Sequence, residues 1–253
     1  MRGLVRLAWL SLSFASAIGL AQEGGDMQAQ ILYAYQSEDT NQLASLVQNL
    51  ANQVKTSAAA AGGADAALRY HLAHAEYRFA LLAQGKRAHD AAPAFSDCID
   101  QLKSVLEQDV KSVEALVLQS ACYGELAKRR RLEAVLLRSK AEERLNAAFK
   151  LDPRNPRVLY FMAEEGFSRS KPRSPEAERA FAELQESAKI FDQSSATRND
   201  APGWGHAQAY LALGAQLQSR GDSLGARNWI EKALIVAPDY KAAQRQMASL
   251  VHR

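Results

Sequence analysis

The stretch from Ala207 to Tyr240 constrains the chain most, because its small and large residues recur at helical spacing in two segments separated by a turn signal. The first segment carries Tyr210, Leu213, Gly214 and Leu217, the turn falls at Gly221 and Asp222, and the second segment carries Ala226, Ile230 and Ala233. Gly214 and Ala226 have little or no side chain, so two antiparallel helices can approach where they cross. Tyr210, Leu213, Leu217 and Ile230 then fill the space on either side. Pro238 lacks an amide hydrogen and cannot continue the second helix. A single helix pair leaves apolar surface uncovered, and Ala233 gives a neighbouring pair room to stack.

Helical periodicity extends over nearly the whole chain, without the sustained alternation that a half-buried strand needs. Two stretches, about 26 to 35 and about 39 to 55, open the globular part, the second with an apolar stripe of Leu43, Leu46, Val47, Leu50 and Val54. A Ser, Ala and Gly-rich segment at 57–63 is a candidate joint, although its alanines also suit an extension of the helix before it. Beyond residue 64 lie further helix pairs. One spans about 65 to 84 and 91 to 108. The next carries Ser120 and Tyr123, then Ala141, Leu145 and Ala148 before Pro153. A third begins at Pro156 with Leu159, Met162 and Ala163, followed by Ala180 and Leu184. An amphipathic segment at about 239 to 250, with Tyr240, Ala243, Met247 and Leu250, suits a cap.

With small, aromatic, aliphatic and proline positions at these offsets, the 34 residues from Ala207 to Tyr240 resemble a complete tetratricopeptide repeat. Tyr210 stands where the repeat often has tryptophan and Leu217 where it usually has tyrosine, both size-conserving departures. The upstream units resemble it less closely, because they carry insertions. The 21-residue separation of Ser120 and Ala141 exceeds the family spacing by about nine. The resemblance implies an all-α fold: a right-handed α-solenoid of antiparallel helix pairs over 64–253, with insertions and a C-terminal capping helix.

It also implies a concave groove formed by the first helices, of the kind that receives a peptide or a partner's helix. Carried over by position, the groove residues are Arg157, Tyr160, Glu164 and Phe167, then Gln208, Leu211, Ala215 and Gln218. The unit before contributes Glu114, Val117, Ala121 and Gly124. This mixture of apolar and polar positions suits side-chain pockets with a few hydrogen bonds. It contains no lysine and arginine clamp for a terminal carboxylate. Tyr160 and Phe167 equally suit packing against the insertion after Gly166.

The chain begins with Met1, Arg2 and Arg6, followed by an apolar run to Leu20 and small residues before Gln22. This is the pattern of a secretory signal peptide at 1–21, too short and too interrupted by serine for a membrane span. Residues 22–56 then form the N-terminal helical segment. The expected location is the periplasm or the exterior. Losing 1–21 removes two of 31 basic residues and no acidic ones, taking the net charge from +3 to +1. Bulk charge therefore selects no partner, and nucleic acid is not expected.

Basic residues cluster instead in the turns: Lys86 and Arg87; Lys128, Arg129, Arg130 and Arg131; Arg169, Lys171 and Arg173; and Arg220. In stacked pairs these turns share an edge, which suggests a basic strip for an anionic surface. Local compensation by Asp90, Glu125, Glu133, Glu176 and Asp222 accounts for the same residues without a partner.

Cys98 and Cys122 each lie about 12 residues from the turn expected at Asp109 to Lys111, which puts them at one height on antiparallel helices. The sequence leaves open a disulfide, two buried thiols or two exposed ones. His71 and His74 share a helix face but supply only two ligands, so no metal or other cofactor is expected. Glu142 with Glu143, and Glu164 with Glu165, are adjacent on helices and diverge around the axis. No catalytic arrangement is evident. The non-periodic stretch 193–206 carries Trp204, expected as a lid over the last repeat or as part of a partner surface. The expected function is an exported scaffold or adaptor for another protein or peptide. A self-associating envelope component and an α-helical envelope enzyme are the alternatives.

Overall fold

The computed structural model describes residues 27–59, 65–83, 85–194 and 203–251. The leader-like pattern expected at 1–21 and residues 60–63 of the candidate joint lie outside the described residues. Among the described residues eleven α-helices follow one another: α1 over 27–36, α2 Thr40–Ala59, α3 Ala66–Leu82, α4 Ala91–Gln108, α5 Val113–Arg129, α6 Ala134–Leu151, α7 Pro156–Arg169, α8 Pro175–Ser194, α9 His206–Ser219, α10 Ser223–Val236 and α11 Lys241–Val251. Among the described residues there is no strand, and no helix is long and apolar enough to cross a membrane.

The helices pack as antiparallel pairs, α3 with α4, α5 with α6, α7 with α8 and α9 with α10, with α2 on α3 and α11 on α10. Caps fix where several of them begin. Asn155 Oδ1 accepts from the amides of Arg157 at 3.0 Å and Val158 at 3.4 Å, and Pro156 occupies the first turn. Asp222 does the same for the amide of Gly225 at 2.8 Å, after a turn in which Gly221 takes φ of 86°.

Small residues set the crossings. A Cβ at Gly214 would lie 2.6 Å from Ile230 Cγ1 and 3.2 Å from the Ala226 carbonyl oxygen, and one at Gly166 would lie 2.8 Å from Ala180 Cβ. The insertion between Ser120 and Ala141 lengthens both helices: α5 and α6 have 17 and 18 residues where α9 and α10 have 14 each. A short 3-10 turn at Arg131–Glu133 takes up the rest. Register across this longer pair is held by the Ser120 hydroxyl, which donates to the Ala141 carbonyl at 2.7 Å.

Cys98 of α4 and Cys122 of α5 are both fully buried and joined Sγ to Sγ at 2.05 Å. Closing a loop of 24 residues stabilises the fold by about 3 kcal/mol on the chain-entropy estimate. The alanines at 58 and 59 continue α2. α1 turns back at Glu38, which takes φ of 59°, and its far side reaches the other end of the stack. There Glu38 forms a two-bonded ion pair with Arg245 of α11, at 2.8 and 2.5 Å, and the Tyr35 ring meets Tyr240 with centroids 6.2 Å apart. This junction forms one boundary of the concave side of the stack.

Candidate functional site in the concave face

Inside that boundary lies a cavity of about 820 Å³, walled by α1, α3, α5, α6, α7, α9 and the residues around Tyr240. Its size falls in the range of ligand pockets, roughly 300 to 1,000 Å³. Of the eight groove positions carried over from the repeat pattern, Tyr160, Glu164, Gln208, Leu211 and Ala215 line it, as do Ala121 and Gly124 of the unit before. The other three go elsewhere. Arg157 is buried and pairs with Glu114 at 3.3 Å, and Asn155 donates to the same carboxylate oxygen at 3.0 Å. Phe167 lines a smaller cleft of about 200 Å³ between the α7–α8 and α9–α10 turns. Gln218 ties α9 to α11 by donating to Ser249 Oγ at 3.1 Å. Val117 is core, packed with Trp204.

Residues that the pattern does not select complete the wall. Tyr35, Tyr77, Phe161, Trp204 and Tyr240 make it aromatic, and Arg78 supplies a cation. Trp204 is 1% exposed and lies within the solenoid, not over the last repeat. Its indole N–H donates to the Tyr70 hydroxyl at 2.8 Å, and its ring approaches His74 and Phe161 at 5.6 and 6.2 Å. Gly205, at φ of 107°, turns the chain from this tryptophan into α9, and its amide donates to Gln208 Oε1 at 3.1 Å. Arg78 and its neighbours leave one signal in the sequence. α3 places Leu72 to Arg78 in the interior without a break, so the helix is enclosed on every side and its polar residues face inward.

Withdrawal from water sets the electrostatics of the wall. It raises the Tyr77, Tyr160 and Tyr240 hydroxyls above their ordinary range, keeping them neutral hydrogen-bonding groups. The same cause raises Glu164, against the pull of Lys128. His74 is driven well below its usual value by burial and then by Arg78, so it is neutral and accepts the Arg78 Nε–H on Nε2 at 3.0 Å. His71 is likewise lowered by burial. Among the described residues no group of three or more metal-ligating side chains assembles around either histidine.

The turn cations are largely matched by neighbours. Lys128 and Arg129 both bridge Glu125, at 2.6 and 3.0 Å, and Arg130 reaches Glu133 at 3.6 Å. Arg169 bridges Glu165 and Glu142 at 2.6 and 3.2 Å, and Arg220 bridges Glu178 at 2.8 Å. Arg173 donates to the Arg220 carbonyl at 3.2 Å, which brings two successive turns together on one edge. Arg131 and Lys171 are exposed, and the side chains of Lys86 and Arg87 lie outside the described set.

No family model and no curated protein matches this sequence. Among solved structures, the chain is similar to TTC0263, a thermophilic TPR protein of Thermus thermophilus, with a TM-score of 0.62 at 16% identity, over 92% of this chain and 100% of that one. It also aligns with a chain of the APC/C hetero-tetramer Cut9-Hcn1 at 11% identity and a TM-score of 0.25, over 89% of this chain and 48% of that one. Identity this low speaks to architecture and not to activity. With its paired helices and close small-residue crossings, the likeness to TTC0263 gives the chain a tetratricopeptide-repeat-like fold.

Proposed function

We propose that this protein is an exported, non-catalytic scaffold that takes a segment of a partner protein into its concave face. One observation carries this: five of the eight groove positions converge on a single large cavity whose wall mixes tyrosine faces with hydrogen-bonding tips. Such walls hold a peptide by apolar contact while fixing its orientation. The leader-like pattern at 1–21 and the Cys98–Cys122 bond both suit an oxidising compartment outside the cytoplasm.

A second reading has its own observation. Leu132, Val135 and Leu136 are exposed at the α5–α6 turn, directly after Arg129, Arg130 and Arg131, so this tip offers an apolar and basic surface to an anionic partner. Site-specific photo-crosslinking separates the two. A crosslinker in place of Leu211 reports from the cavity and one in place of Arg131 from the tip, in native envelope extract. Capture of one protein at 211, lost when Ala215→Trp fills the cavity, supports the groove. Capture only at 131 moves the site to the outer edge, and capture of this chain alone supports self-association.

A further inference from the structure

Two arginines are buried to the same degree in this molecule, and the fold treats them differently. Arg157, 4% exposed, has Glu114 at 3.3 Å. Arg78, 3% exposed, has no carboxylate within ion-pair distance among the described residues. Its Nε–H is taken by neutral His74. What surrounds its guanidinium is aromatic: the ring centres of Tyr35, Tyr77 and Trp204 lie 4.5, 5.3 and 5.5 Å from Cζ. Cation–π contact returns only part of what removing an unpaired charge from water costs. Arg78 borders the cavity, so an anion arriving there can offset the remaining cost. Gln208 adds a second unused donor there: it is 6% exposed, lines the same cavity, and its Nε2 has no partner.

We propose that the deep end of this cavity binds a small organic acid, with its carboxylate on Arg78 and Gln208 and its apolar body against Trp204, Tyr35 and Tyr77. The inference rests on the concave face being a binding site, but not on a protein being its occupant. Three features select the class. The Glu38–Arg245 pair and the Tyr35–Tyr240 contact form one junction that closes the cavity on the side where Arg78 meets Tyr35, which suits a compact ligand over a long chain passing through. The aromatic wall favours an apolar body. Glu164 lines the same cavity without an ion-pair partner among the described residues, and neither of its forms favours a second ligand carboxylate, the ionised one by repulsion and the neutral one by offering no counter-charge, so a monoacid is preferred.

Calorimetric titration of the purified, disulfide-bonded protein with octanoate, 3-phenylpropionate, octanamide and the diacid suberate tests this. Octanoate or 3-phenylpropionate is expected to bind about 100-fold more tightly than octanamide, and suberate more weakly than octanoate. Arg78→Gln, with its helical circular dichroism intact, is expected to lose that preference. If Arg78→Gln does not fold, Gln208→Leu and the acid-to-amide ratio of the unaltered protein decide. Equal binding of octanoate and octanamide, undiminished octanoate binding to folded Arg78→Gln, or no heat from either monoacid at about 10 mM overturns the proposal. Capture of a partner at position 211 with no carboxylate preference overturns this inference alone. Carboxylate binding without capture overturns only the protein-scaffold reading.

Discussion

The α9–α10 pair and the α1–α3 region stabilise the same solenoid by opposite means. In α9–α10 the contact is made by what is missing: Gly214 lets Ile230 and Ala226 close in, and Ala226, Ile230 and Ala233 are fully buried on the facing helix. In α3 the interior holds His74, Glu76 and Arg78, each at most 5% exposed, and a tryptophan from a distant loop packs against His74 and Arg78. The first arrangement is a dry crossing with little chemistry available to it. The second keeps polar groups beside a cavity, which costs stability and makes recognition available.

Breaking the second region should have the largest effect. Trp204 fills the space between α3, α5 and α7 and is among the largest fully buried side chains. Trp204→Ala removes that volume and the hydrogen bond to Tyr70, so a loss of about 4 kcal/mol is expected in urea unfolding. If the loss stays under about 1 kcal/mol, the tryptophan is a surface lid and forms no part of the cavity wall.

A pH series sharpens the contrast. Burial, then Asp97 and Asp100, push the Glu76 carboxyl up to about 9 from an ordinary 4.5, so it stays protonated in the folded protein at neutral pH. The unfolded chain releases this proton above about 4.5. The contribution is therefore fully present below that pH and is lost progressively as pH rises toward about 9. Glu76→Gln has no proton to lose. It should match the parent near pH 4 and exceed it near pH 8 by on the order of 3 kcal/mol in unfolding free energy. A constant difference between the two proteins across the series would mean that Glu76 is ionised in the fold.

The unequal legibility of the two regions has a physical cause. The crossing of Gly214 with Ala226 and Ile230 spans at most 16 positions, and helical periodicity reports such neighbours directly. Tyr160, Glu164, Gln208, Leu211 and Ala215 are accessible by offset for the same reason, since first helices of successive repeats share a face. Closure is not legible. Glu38 and Arg245 are 207 positions apart, and Trp204 and Tyr70 are 134 apart, so no local pattern connects them. Arg157 shows the limit of carrying positions over: its offset places it in the groove, but a carboxylate 43 positions earlier draws it into the interior. What the sequence does hold of the cavity is α3 itself, where His74, Glu76 and Arg78 interrupt an apolar helix with no exposed face to receive them.

The smallest effect should come from the dry crossing, and it tests whether that contact is as close as its glycine implies. Gly214→Ala gains up to about 1 kcal/mol of helix propensity, because alanine restricts the unfolded chain more than glycine does. Against this, its methyl would sit 2.6 Å from Ile230 Cγ1 and 3.2 Å from a backbone carbonyl oxygen that cannot rotate away. α9 and α10 would have to separate, at a cost of about 1 to 3 kcal/mol for overpacking. The net expectation is a loss of about 1 kcal/mol, which disappears in an Ile230→Ala background, where the Cγ1 that the new methyl would meet is gone. If Gly214→Ala alone is stabilising, propensity outweighs packing and the repeat crosses more loosely than its small residues suggest.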